Sequence, residues 1–180
     1  MSAGQVVVYH WDAAGSTARV LATTSTADAK PRVVAPGDVD GDGLADWVYS
    51  SGVNRTLVYG SGATPHTISG YGGLMAAPGD VDGDRRADLL LADAAGVARL
   101  IRQQEGETPE VFATIAGVGG AANAPYAAGA DLNADGSADV VLIPSAAAAE
   151  ARGFDTPDFS QGFISPQALP LGASSLTVDG

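Results

Sequence analysis

Three stretches of this chain align on one another without gaps: APGDVDGDGLADWVYSS (35–51), APGDVDGDRRADLLLAD (77–93) and AGADLNADGSADVVLIP (128–144). Each has an apolar lead-in, a run of alternating acids and an apolar exit. The first aspartates fall at 38, 80 and 131, giving spacings of 42 and 51. A fold for this chain must repeat with that period, and it must hold mutually repelling carboxylates side by side in every copy.

The lead-ins are RVVAP (32–36), LMAAP (74–78) and PYAAG (125–129), and the exits are ADWVY (45–49), ADLLL (87–91) and ADVVL (138–142). These short, continuous, partly β-branched runs read as strands buried on both faces. Alternating segments follow as outer strands: RTLVYG (55–60) then HTISG (66–70), and VARLIR (97–102) then EVFATI (110–115). Strand, acidic loop and three further strands every roughly 40–50 residues describe a propeller blade. The expected fold class is therefore all-β, with blades of four antiparallel strands.

The ends break the unit. QVVVYHW (5–11) and ARVLATT (18–24) read as the third and fourth strands of a blade lacking its first two. SSLTVDG (174–180) reads as the start of another first strand. The expected division is a single propeller-fragment domain, 1–180, with blades at 32–73, 74–124 and 125–173 and partial blades at 1–31 and 174–180. A fragment with open sheet edges is expected either to belong to a longer parent or to close its ring by pairing with a copy of itself. Within the third blade, Ala146–Arg152 is read with equal weight as a short helix begun by Ser145 or as an irregular loop.

Composition narrows the chemistry. The net charge is −12, and 11 of the 21 acids lie in the windows 38–46, 80–88 and 131–139. The acidity belongs to sites rather than to the surface at large. Nucleic acid and anionic lipid are poor partners for such a chain. There is no cysteine, which excludes disulfides and thiolate metal sites. No apolar run is long enough to span a membrane, and the N-terminus lacks the features of a signal peptide.

Within each loop, acids at positions 1, 3 and 5, the carbonyl of position 7 and the acid at position 9 can converge. The first set is Asp38, Asp40, Asp42, Leu44 (carbonyl) and Asp46. The second is Asp80, Asp82, Asp84, Arg86 (carbonyl) and Asp88. The third is Asp131, Asn133, Asp135, Ser137 (carbonyl) and Asp139. Calcium takes about six to eight oxygens at roughly 2.3–2.6 Å, and an all-oxygen set favours it over zinc or copper. Magnesium prefers fewer protein ligands. An EF-hand needs a glutamate at position 12, where this chain has Tyr49, Leu91 and Leu142. A solvated acidic turn would account for one copy, but not for three with identical spacing. The cofactor expectation is Ca²⁺, about one per loop.

These loops resemble the FG-GAP/VCBS repeats of integrin-alpha-like propellers. The pattern D-x-[DN]-x-D-G-x-x-D is met by Asp38–Asp46 and Asp131–Asp139, and YGSGATP (59–65) and YGGLMAAPGD (71–80) echo the family's name motif. The resemblance implies Ca²⁺ between the first two strands of each blade, and a role in adhesion, ligand recognition or scaffolding. One departure stands out: position 6 is Gly43 and Gly136 in the first and third loops but Arg85 in the second. Glycine suits a positive φ there. With Arg86 adding a second positive charge, the second loop is expected to bind calcium most weakly. The third, with neutral Asn133, is expected to fall between.

His10 and His66 lie outside any ligand cluster, and no nucleophile elbow or phosphate-binding glycine loop is present. Asn54-Arg55-Thr56 is a glycosylation triplet of a kind common by chance. Trp47 is expected in the core, although Trp11, Trp47 and the tyrosines also suit a sugar-binding surface. The leading expectation is a non-catalytic, calcium-stabilised module for adhesion or protein interaction, extracellular or at the cell surface as part of an exported parent. A lectin-like propeller binding a glycan, and an accessory domain of a larger secreted enzyme, are the alternatives.

Overall fold

In the computed structural model the described residues are 3–12, 17–103, 107–115, 126–131, 134–142, 150–152 and 167–168. They form strands and connecting turns, with no helix among the described residues. A hairpin of β1 (Gly4–Asp12) and β2 (Thr17–Thr26) comes first. Three antiparallel sheets follow, each in simple meander order. The first contains β3 (Val33–Gly37), β4 (Asp46–Ser51), β5 (Asn54–Val58) and β6 (His66–Ile68). The second contains β7 (Met75–Gly79), β8 (Asp88–Ala92), β9 (Ala98–Arg102) and β10 (Glu110–Ile115). The third contains β11 (Tyr126–Ala130), β12 (Asp139–Leu142), β13 (Glu150–Arg152) and β14 (Gln167–Ala168). Strand β7 lies against β3 on one side and β11 on the other, so the first strands of the three sheets sit side by side. This is the arrangement of successive blades in a partial β-propeller.

The apolar runs have the burial that stacked sheets demand. Strand β8, DLLLA, is buried at every position. Leu89 and Leu91 pack towards the first sheet with Val39, Val48, Leu57, Ile68, Met75 and Ile101. Leu90 packs the other way with Leu74, Ala76, Val81, Leu100, Ile115 and Val140 of the third sheet. A strand with sheets on both faces has no solvent side, so its sequence does not alternate. At about 25 cal/mol per Å² of apolar area removed from water, this inter-sheet packing is the main stabilising term.

A bulge precedes each acidic loop. The register slips between Val34 and Gly37, between Ala76 and Gly79, and between Ala128 and Ala130. Pro36 and Pro78 lie within the first two slips, where a residue without an N–H costs the ladder nothing. Gly37 and Gly79 then take φ of 104° and 97°, turning the chain into the loop.

The segment after β2 is tied to the first sheet by polar bonds. Thr26 Oγ1 donates to the Ser50 carbonyl at 2.8 Å, the Ser50 hydroxyl donates to Asp28, and the Gly52 amide donates to Asp28 at 2.7 Å. Arg55 is 2% exposed and reaches from β5 to the Gly73 carbonyl at 2.8 Å, joining the first sheet to the lead-in of the second.

The stretch 146–152 departs from both sequence readings at its C-terminal end. Glu150–Arg152 is strand β13, with Val140 opposite Arg152 and Leu142 opposite Glu150. The open edge of β12 offers backbone partners that outweigh the weak helix preference of a short alanine-rich run. Residues 146–149 and the partial blade at 174–180 lie outside the described residues. Trp47 is half-buried, its ring 5.5 Å from that of Tyr49, rather than fully in the core.

Candidate metal centres

Each acidic loop is built around its first aspartate. Asp38 Oδ1 accepts from the amides of Gly41 (2.6 Å) and Asp42 (3.1 Å), and Oδ2 from Gly43 (2.8 Å). Asp80 accepts from Gly83 and Arg85, both at 2.7 Å. Asp131 accepts from Asp135 (3.1 Å) and Gly136 (2.8 Å). Burial opposes ionisation of Asp38, but the amides of Gly43, Gly41 and Asp42 outweigh it and hold the carboxyl below its usual range.

The remaining loop acids repeat a second device. Asp40 and Asp82 accept from the amides two residues on, Asp42 and Asp84, at 3.1 and 3.0 Å. Asp42, Asp84 and Asp135 in turn accept from Leu44 (2.7 Å), Arg86 (2.8 Å) and Ser137 (2.9 Å). The three residues expected to offer carbonyls are thus fixed in the same way in all three loops. Asn133 lies outside the described residues; Asp139 is buried at 2% exposure.

Two strained residues mark where the loops differ. Position 6 has positive φ throughout: 87° at Gly43, 71° at Arg85 and 96° at Gly136. Position 4 does too: 84° at Gly41, 77° at Gly83 and 62° at Ala134. The first loop has glycine at both positions. The second has one side chain in the left-handed region, Arg85, and the third has another, Ala134. The strain at Ala134 escapes a comparison made at position 6 alone.

The acid at position 9 behaves differently in the first two sheets. Asp46 is 1% exposed and both its oxygens are taken, Oδ2 by the Val39 amide and Oδ1 by the Gly60 amide, each at 2.8 Å. Asp88 is fully buried, and its Oδ2 accepts from Val81 at 2.8 Å while Oδ1 has no hydrogen-bond partner. The cause lies in the adjoining strand. Trp47 pairs with Val58 and Leu89 with Ile101, so Gly60 and Gln103 occupy equivalent places. A Cβ at Gly60 would come within 2.6 Å of the Ala45 carbonyl, so only glycine brings that amide onto Asp46.

Ligand oxygens of Asp38, Asp40 and Asp42 lie within 4.8 Å of one another, as do those of Asp80, Asp82 and Asp88. Two of these carboxylates carry a buried oxygen without a partner, Asp40 Oδ2 and Asp88 Oδ1. A buried carboxylate oxygen left unpaired is costly. Burial pushes the Asp88 carboxyl up to about 8; the Val81 amide opposes this, while Asp82, Asp84 and Asp80 add to it. Burial likewise raises Asp40, Asp46 and Asp82. A hard divalent cation would satisfy the orphaned oxygens, offset the repulsion and restore the charged forms, so the residues present fit calcium.

A glycine amide, a strand-register neighbour and an arginine from another strand complete these centres, and none belongs to the nine-residue pattern. Gly60, Gln103 and Arg102 become neighbours of the loops only once β5 and β9 are paired with β4 and β8. Arg102 bonds Asp82 at 3.1 Å and Glu110 at 2.9 Å. No helix among the described residues is long and apolar enough to cross a membrane.

No curated protein and no solved structure matches the chain. The family model described as FG-GAP-like repeat matches residues 58–142, a span that runs from the end of β5 to the end of β12 and contains the second and third acidic loops. Over that span the chain is similar to FG-GAP-like repeats, and its four-stranded meander sheets are those of partial β-propeller blades.

Proposed function

We propose that this chain is a calcium-stabilised, non-catalytic propeller module for adhesion or protein interaction, working outside the cytoplasm. The observation that carries the calcium reading is the pair of buried, unpartnered oxygens, Asp40 Oδ2 and Asp88 Oδ1, each inside a group of three converging carboxylates. The ions act as staples. Ligands brought together only in the folded state convert metal-binding energy into folding energy. Extracellular calcium is plentiful enough to fill weak sites of this kind. The repeat type supports an interaction role.

Thermal unfolding and mass in solution, with calcium and with chelator, test this reading. A saturating ion at about 100 times its Kd adds about 2.7 kcal/mol per site, so calcium should raise the unfolding temperature by many degrees. An unfolding temperature indifferent to calcium would defeat the proposal.

A glycan-binding reading is supported by Tyr9 and Trp11, two residues apart on β1 and each 62% exposed. Aromatic faces of that kind stack on sugar rings. A glycan array separates this reading from protein adhesion, and Trp11→Ala should abolish any signal it gives.

A further inference from the structure

The first two loops treat the acid at position 3 differently. In the first, Asp40 Oδ1 is held by the Asp42 amide and Oδ2 is buried with no partner. In the second, Asp82 Oδ1 is held by the Asp84 amide in the same way, but Oδ2 accepts from Arg102 Nη1 at 3.1 Å. The Asp82 side chain is 1% exposed, and that of Arg102 is 38% exposed. The position of Arg102 is occupied by Tyr59 in the first sheet, as the matched pairings Trp47–Val58 and Leu89–Ile101 show.

We propose that Arg102 is a built-in counter-cation of the second loop, competing with a divalent ion for Asp82 Oδ2. This inference rests on the calcium reading above. Asp82 belongs to the converging group with Asp80 and Asp88, so an incoming ion would compete with Arg102 for its carboxylate. The guanidinium satisfies Oδ2 when no ion is bound, and must give it up when one arrives. Glu110 stands opposite Arg102 on β10 and already accepts from its Nε at 3.0 Å and Nη2 at 2.9 Å. It is the acceptor to which Arg102 is handed. A cleft of about 280 Å³ lined by Asp84, Arg86, Arg102, Gln103, Glu107 and Glu110 gives the side chain room to withdraw. In the first loop Arg86 lies beside Gly41 but Asp40 Oδ2 has no partner, so that oxygen depends on the ion itself. The two loops therefore fill at different calcium concentrations, and the second keeps its charge balance when calcium is low.

A calcium titration of the full chain followed by amide NMR tests this, because the loops have separate reporters. The Gly41 and Gly43 amides report the first loop and the Gly83 amide the second. In the unaltered protein the first-loop signals should move at lower calcium than those of Gly83. Arg102→Tyr, which copies the first sheet, should shift the Gly83 midpoint to about tenfold lower calcium, the effect of removing one partly exposed competing charge. The midpoint at Gly41 and Gly43 should stay in place. Glu110→Gln removes the charge that draws Arg102 away from Asp82 and should move the Gly83 midpoint to several-fold higher calcium. An unchanged or higher Gly83 midpoint in Arg102→Tyr overturns the inference. Should that variant fail to fold, an unchanged or lower midpoint in Glu110→Gln overturns it. Absence of any calcium response at either loop would instead remove the calcium reading, and this inference with it.

Discussion

The amide of Ala87 donates to the backbone carbonyl of Asp38 at 2.7 Å, linking the second acidic loop to the first. The bond repeats one sheet later, where Ala138 donates to the Asp80 carbonyl at 2.7 Å. In each case the residue at position 8 of one loop reaches the first aspartate of the loop before it. Gly37 and Gly79 lie beside these bonds: a Cβ on either would make an ordinary contact with the Cβ of Ala87 at 3.8 Å or of Ala138 at 3.4 Å. The candidate ion loops are thus joined in series by main-chain bonds. Ala87→Pro removes the donor and should cost about 1–3 kcal/mol, read as a lower urea midpoint. Ala87→Ser keeps the amide and should fall within about 0.5 kcal/mol of the unaltered protein.

Backbone strain should be relievable in the second and third loops and not in the first. Arg85 and Ala134 hold φ of 71° and 62°. A left-handed conformation costs a side-chain-bearing residue about 1–2 kcal/mol, partly offset on replacement by the greater unfolded-state entropy of glycine. Arg85→Gly and Ala134→Gly should each stabilise by about 0.5–1 kcal/mol in chemical denaturation. Gly43→Ala should destabilise by about 1 kcal/mol. Nothing lies within 4 Å of the added Cβ, so that cost is conformational alone.

Asp46 should matter to folding whether or not calcium is present. Its two oxygens satisfy the buried amide of Val39 and the part-buried amide of Gly60. Asp46→Ala strands the buried Val39 donor and should cost about 1–3 kcal/mol, since water can reach the amide of the exposed Gly60. The loss should persist in chelator, which distinguishes a structural carboxylate from one acting only through an ion. An equal loss of stability and of calcium response, vanishing in chelator, would contradict this assignment.

Stability of the calcium-free protein should fall as pH rises. Asp88 titrates at about 8 in the folded state, far above an unfolded aspartate, and Asp40, Asp46 and Asp82 are raised as well. The folded protein therefore binds more protons than the unfolded chain between about pH 4 and 8. The stabilisation is complete below about pH 4 and is lost progressively towards pH 8. Asp38 is shifted the opposite way and offsets part of this. In chelator, the unfolding temperature should drop between pH 5 and pH 8. In excess calcium the trend should reverse, since the ion requires the deprotonated ligands. A chelated protein that gains stability over that interval would show that the buried acids are charged without an ion.

Much of the architecture was legible because the repeat fixes phase. An apolar run on either side of each acidic loop identifies the first two strands, and β8 is as fully buried as its unbroken leucines imply. Segment 150–152 was less legible. Three residues carry too little local preference, and the exposed edge of β12 decides that they pair as a strand. The loops show the same division. Aspartates at positions 1, 3 and 5 bond to amides within five residues, and such local bonds follow from spacing.

What the sequence by itself determined is the unit: its length, its β character, and the convergence of oxygen ligands seen in the first two loops. Local hydrogen bonds and hydrophobic patterning act over a few residues, and both are written in residue order. What only the tertiary structure decided is how one copy differs from the next. The Gly60 amide closes over Asp46, while Asp88 keeps an unpartnered oxygen. Arg102 reaches Asp82 from twenty residues away, and Ala87 ties one loop to another. These contacts depend on strand register and on the stacking of separate sheets, which bring together groups that no short spacing relates.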